Sequence, residues 1–157
     1  MYRKILVPLD GSKLAECVLP HVDALARGAG APKVVFVTVV EPVIPPARGE
    51  LVFPEEERRR LEEAHIENAG GYLQAVSGEA RTRGLEASHA VLRGQPAEAI
   101  ADYASAAGAD LIVLATHGRG GLARWVLGSV ADRVSRSSCV PVMVVRAPGC
   151  PPPESAA

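Results

Sequence analysis

Aromatic residues are scarce in this 157-residue chain: two Phe, three Tyr and a single Trp make up 4% of it, so its core has to be built from aliphatic side chains. Cysteine is scarcer still. Cys17, Cys139 and Cys150 are an odd number with no C-x-x-C pair, which excludes a disulfide framework and a cysteine-held zinc site and leaves three incidental or buried thiols. Charge of either sign is not in excess: 17 cations against 18 anions give −1, too even for a broad basic face on duplex DNA or RNA. Arg119-Gly120-Gly121 is the sole RGG, so RNA binding through such repeats is excluded as well. No apolar run approaches the ~18 residues of a membrane helix, since the densest, Val34 to Val40, is interrupted at Thr38. The opening MYRKILVPLD loses its apolar character at Pro8 and Asp10 with no small-residue cleavage site behind it, unlike a secretory leader. These absences point to a cytoplasmic protein without membrane or nucleic-acid partners.

Material for a core is ample. Apolar residues form 48% of the chain, charged residues 22%, and the length suits one domain. Lys4 to Leu9 is a short apolar run closed by Asp10-Gly11-Ser12, the grammar of a strand passing into a helix. From Ser12 to Arg27, Ala15, Val18, Leu19, Val22, Leu25 and Ala26 recur at helical spacing, with Pro20 placed to kink or divide that helix. Lys33 to Val40 is β-branched at nearly every position, as a strand covered on both faces should be. The proline-rich stretch from Glu41 to Pro54 is the longest irregular one. Glu55 to about Arg83 reads as a long helix with a weak point at Gly70-Gly71, where two glycines cost about 2 kcal/mol against alanine. Its first turn, Glu55 to Arg60, reads as a solvated charged face.

A third strand, Leu85 to Leu92, leads through Gly94-Gln95-Pro96 into a helix with Pro96 in its first turn. Asp110 to Ala115 is a fourth strand. A loop from Thr116 to Leu127, a helix from about Gly128 to Ser138 and a fifth strand, Val142 to Arg146, complete the series. The expected organisation is a domain over 1–146 and a proline-rich tail over 147–157 that has nothing to pack against. Strands alternating with helices in this way give a single-domain α/β fold: an open, Rossmann-like parallel sheet with helices on both faces. Ligands of such sheets sit at the carboxyl ends of the strands, where strand order reverses. The unusual chemistry lies at two such ends, Pro8-Leu9-Asp10 after the first strand and Ala115 to Gly118 after the fourth.

Ala115-Thr116-His117-Gly118-Arg119-Gly120-Gly121, followed by Gly128-Ser129-Val130, could bring main-chain amides and a helix amino end to an anion, with the Ser129 hydroxyl capping that helix. Three commoner motifs do not fit. A P-loop needs a Gly-Lys pair, which this chain lacks. Gly118 to Ala123 matches G-x-G-x-x-A, yet no helix starts there and no acidic residue lies between Ser138 and Val145 to hold a ribose. Ser129 sits in LGSVA rather than in G-x-S-x-G.

KILVPLDGS at the start, the Gly94-Gln95-Pro96 turn and ATHGRGGLARWVLGSVADRVSRSSCVPVMVVR resemble the universal stress protein family over Tyr2 to Arg146. The family's nucleotide signature is Gly, two residues, Gly, nine residues, Gly, then Ser or Thr. Gly118 and Gly128-Ser129 meet this spacing, with Arg119 to Leu127 between them, while Ala115 stands at the first glycine. The resemblance implies an adenine nucleotide, ATP or else AMP or ADP, with Mg2+ or Mn2+ between the phosphates. Asp10, following Pro8, would meet the ribose or base, and Val39 would contact the base through its backbone. Leu114 and Ala115 would wall the pocket. Gly118, Gly128, Ser129 and Val130 would hold the phosphates, with Arg119 screening their charge. It also implies strand order 3-2-1-4-5 and a homodimer paired through the fifth strand.

Other candidates have simpler readings. His117 is a solvated loop residue, Arg124 a surface cation and Trp125 a hydrophobic anchor, while His21, His65 and His89 lack partners at metal spacing. No catalytic residue and no protein-held metal site is expected, and the chain is read as a stress-response regulatory protein, at most a slow ATPase, with a protein partner yet to be identified. The alternative is a nucleotide-independent homodimeric interaction module of the same fold, which Ala115 would favour. An ATP-consuming enzyme on a related sheet is disfavoured because LDGSK lacks a double-glycine loop.

Overall fold

The computed structural model describes residues 2–28, 30, 32–43, 54–116 and 128–147. Five parallel strands form one sheet in the order β3-β2-β1-β4-β5. They are β1 (Lys4–Pro8), β2 (Lys33–Val40), β3 (Ala87–Arg93), β4 (Leu111–Thr116) and β5 (Val142–Arg146). The helices are α1 (Leu19–Gly28), α2 (Glu55–Thr82), α3 (Pro96–Ala106) and α4 (Ser129–Ser137), with a 3-10 turn over Ala15–Val18 ahead of α1. The expected α/β architecture and strand order are therefore both present.

Aliphatic residues do the packing, as the shortage of aromatics requires. On one side of the sheet Ile5, Val7, Val34 and Phe36 meet Val18, Val22 and Ala26 from the 3-10 turn and α1, and Leu73, Val76 and Ala80 from α2. On the other, Leu6, Val35, Val37, Ile112 and Leu114 meet Ala97, Ile100 and Ala104 from α3 and Ala131 and Val134 from α4. Side chains alternate across each strand, so β1 feeds Ile5 and Val7 to one core and Leu6 to the other. Most of these side chains are fully buried, and each Val, Leu, Ile or Phe among them stabilises the fold by about 1.5–3 kcal/mol.

Pro20 divides the first helical stretch as expected: the tight turn ends at Val18, and proline sits in the first turn of α1, where no intrahelical N–H is needed. Gly70-Gly71 does not interrupt α2, which runs unbroken for 28 residues. The reason is tertiary packing. Leu73, Val76 and Ala80, buried against the sheet just beyond the pair, hold the helix and outweigh the poor propensity of glycine. Ser77 is buried in the same stretch, and Arg83 Nε pairs with Asp23 on α1 at 2.9 Å. Cys17 is half-buried and Cys139 exposed, both as free thiols; Cys150 lies outside the described residues.

Candidate functional site

Strand order reverses between β1 and β4, and the two strands part at Pro8. Asp110 N–H bonds to Lys4 O, and Leu9 N–H to Val37 O, so along β1 the even-numbered residues face β4 and the odd-numbered ones face β2. Pro8 thus faces β4 at the position where an amide would continue the ladder, and it has none to give. The β1–β4 register accordingly ends at Leu6↔Ile112, while β4 runs on to Thr116. On the other flank the last β1–β2 bond is Leu9 N–H to Val37 O at 2.8 Å. The Leu9 oxygen takes the Thr38 hydroxyl at 2.8 Å, and Val39 stands beyond that final bond.

The opening is a cavity of about 400 Å³, within the range of small-molecule sites. Pro8, Asp10, Val39, Leu114, Ala115, Gly128, Ser129 and Val130, all singled out in the sequence, line it together. Gly118 and Arg119 lie outside the described residues, as do His117, Arg124 and Trp125. The walls are apolar, with Leu9, Val37, Ile100 and Ala131 joining Val39 and Leu114. Sequence reasoning assigned Ile100 to a helix core and passed over Glu41, Pro96 and Thr116, which also line the space. Thr116 could have been noticed as the polar residue ending the otherwise apolar run Leu111 to Ala115.

Chemistry is segregated within the cavity. Asp10 marks one side. Gly11, at φ +80°, turns the chain sharply after β1, and Asp10 Oδ1 accepts the Ser12 N–H at 2.9 Å. Asp10 Oδ2 has no hydrogen bond among the described residues and the side chain is exposed. Ser12 Oγ in turn accepts the Ala15 N–H at 3.1 Å, fixing the 3-10 turn whose Ala15 lines the same space.

The amino end of α4 marks the other side. Gly128, not Ser129, is the residue at the helix boundary, in extended conformation at φ −54° and ψ 145°, and its N–H is taken by Thr116 Oγ1 at 2.9 Å. Ser129 is the first helical residue, and its hydroxyl caps nothing, contrary to expectation: the cap geometry belongs to Gly128, whose amide the strand already holds. The first intrahelical bond is Asp132 N–H to Gly128 O at 2.8 Å. The amides of Ser129, Val130 and Ala131 therefore lack intrahelical acceptors, and all three residues line the cavity. Ala115 lies inside β4, paired with Val145, so its backbone is extended and its methyl group brings no left-handed strain.

Among the described residues no group of three His, Cys, Asp or Glu stands together as a metal site. His89 Nδ1 lies 2.9 Å from the buried Ser77 Oγ, away from the cavity lining. No helix among the described residues is long and apolar enough to cross a membrane.

Comparison with known proteins decides the family. The profile of the universal stress protein family matches residues 1–146. The chain belongs to the universal stress protein family. A universal stress protein of Thermus aquaticus is 37% identical over 146 residues, covering 93% of this chain and all of its own length. The solved structure of MJ0577 from Methanocaldococcus jannaschii superposes with a TM-score of 0.75 at 29% identity, covering 95% of this chain and 99% of that one. A universal stress protein crystallised in complex with cAMP shares the fold, with a TM-score of 0.67 at 22% identity over 93% of this chain and 98% of its own.

Proposed function

We propose that this universal stress protein binds an adenine nucleotide, ATP foremost, in the crevice between β1 and β4, and acts as a nucleotide-responsive regulator rather than an enzyme. The observation that carries this reading is the pair of opposed ends. Three main-chain amides at the positive end of α4 suit phosphates, and an aspartate with a free acceptor oxygen suits ribose hydroxyls or a base amine. The apolar walls between them suit a base. In this assignment Leu114 and Ala115 back the nucleoside, Val39 offers main-chain groups to the base, and Gly128, Ser129 and Val130 face the phosphates, with Gly118 and Arg119 completing that end.

A divalent cation fits such a site through the ligand. Mg2+ keeps several waters and is typically held through phosphate oxygens, so it would enter with the nucleotide at the α4 end, away from Asp10. The regulatory reading is favoured because the phosphate-side donors are amides, which hold an anion without moving a proton. Ala115 does not favour the nucleotide-independent alternative, since the strand conformation accommodates its methyl. A cytoplasmic location and a homodimer through β5 complete the proposal. Among the described residues no strand pairs with β5 beyond β4, and Val142 and Val144 turn their main-chain groups toward that edge.

The deciding experiment is calorimetric titration with Mg-ATP, with extraction of the protein as isolated to look for nucleotide. Binding at micromolar concentration or below, weakened by Asp10→Asn, supports the assignment. No heat and no released nucleotide would leave the interaction-module reading in its place.

A further inference from the structure

Thr116 has a part in the site that neither the family signature nor the glycine spacing assigns. It ends β4 and is 7% exposed, and with Ser77 it makes up the buried polar residues among those described. A buried hydroxyl left without partners is destabilising, so the bond it makes is informative. Thr116 Oγ1 accepts the Gly128 N–H at 2.9 Å, joining the two ends of the segment 117–127. On its main-chain side Thr116 is paired with Arg146 of β5, and its carbonyl accepts the Ala147 N–H at 3.4 Å. The hydroxyl is thus carried by backbone fixed in the sheet, and it holds the residue from which α4 starts. Of the amides at that helix end, one is used for this tie and the next three are left for the cavity.

We propose that Thr116 is the positioning residue of the phosphate end: its hydroxyl fixes the amino terminus of α4 so that the amides of Ser129, Val130 and Ala131 converge on an anion. It therefore sets affinity for the phosphates of the ligand and not for its nucleoside. This rests on the nucleotide reading of the same cavity.

Thr116→Val keeps the branched shape and removes the acceptor, while Thr116→Ser keeps the acceptor. Each variant and the wild type are titrated with Mg-ATP and, separately, with adenosine. The Val variant should lose about tenfold in ATP affinity while adenosine stays within about twofold, and the Ser variant should return ATP to within about threefold of wild type. In the unliganded protein the Gly128 amide should exchange with solvent about tenfold faster in the Val variant, with α3 amides unchanged. Equal loss of ATP and adenosine, ATP binding untouched by Thr116→Val, or an unaltered Gly128 exchange rate would each overturn the proposal. Wild-type protein that binds neither probe is a different result: it removes the nucleotide reading itself, and the proposal with it.

Discussion

The Tyr72 hydroxyl on α2 donates to Glu16 Oε1 at 3.2 Å, tying the middle of the long helix to the 3-10 turn at the rim of the cavity. Glu16 Oε2 also pairs with Lys13 at 3.0 Å, so the carboxylate is held from two directions. Burial, followed by the nearby charge and hydrogen bond of Glu16, raises the Tyr72 pKa well above its ordinary value of 10.0. The folded state thus keeps the phenolic proton longer than the unfolded chain does. The resulting stability is fully present below pH 10 and is lost as pH climbs toward the folded pKa. Tyr72→Phe should be slightly less stable than wild type at pH 8 and should lack the alkaline loss. Denaturant melts between pH 8 and 11 will test this, and parallel curves for the two proteins would contradict it.

Asp110 gives the opposite dependence. Its Oδ2 accepts the amides of Arg3 and Lys4 at 2.7 and 2.9 Å, which stitches the start of β4 to the start of β1. These two bonds lower its pKa below 3.8. A carboxylate held down in the folded state contributes above the unfolded pKa, and that contribution disappears as pH falls through the folded value. Asp110→Asn should therefore melt below wild type at pH 7, and the gap should narrow as the pH falls below 3.8. Melting temperatures across pH 2 to 7 will show it.

Ser129→Pro, compared with Ser129→Ala, isolates one main-chain donor. Position 129 is the first of α4, where proline is well tolerated, and Gly128 already has the extended conformation that a residue before proline prefers. The helix should form normally while one of the three cavity amides is lost. Mg-ATP affinity should fall about tenfold with the melting temperature nearly unchanged. Calorimetry beside a thermal melt separates these effects, and unaltered affinity would show that the ligand does not use that amide.

The edge of β5 can be probed in the same way. Pro141 O accepts from Ile112, which places the odd-numbered residues of β5 toward β4 and the even-numbered ones, Val144 among them, toward the opposite edge. Val144→Pro removes an outward amide while leaving the β4 ladder its donors. The variant should sediment as a monomer where the wild type sediments as a dimer. A wild-type monomer, or a variant dimer, would dispose of pairing through this edge.

Much of this was readable from the residues. The β-branched run Lys33 to Val40 and the run Val142 to Arg146 match their strands end to end, because strands of a parallel sheet with helices on both faces leave an unbroken apolar signal. The cavity could be placed because Pro8-Leu9-Asp10 and Gly128-Ser129 punctuate the ends of elements, and punctuation is local. The bond from Thr116 to Gly128 was beyond reach for the converse reason: the two lie twelve positions apart, across a segment without regular spacing. The same holds for Gly70-Gly71, where propensity marked a weak point and the tertiary packing of Leu73, Val76 and Ala80 carried the helix through it. Ser129 was mistaken for a cap because serine favours that role in general, whereas here glycine takes it under the hold of a threonine hydroxyl.

The sheet separates two aliphatic cores, and the cavity draws walls from both: Leu9 and Ala15 belong to one, Val37, Ile100 and Leu114 to the other. A base lodged there would act as filling shared between the layers, so that loosening either layer would cost contacts with the other. Heat should then undo the two halves more nearly as one unit in the loaded protein than in the empty one. Occupancy would be written in the steepness of the melting curve as well as in its midpoint.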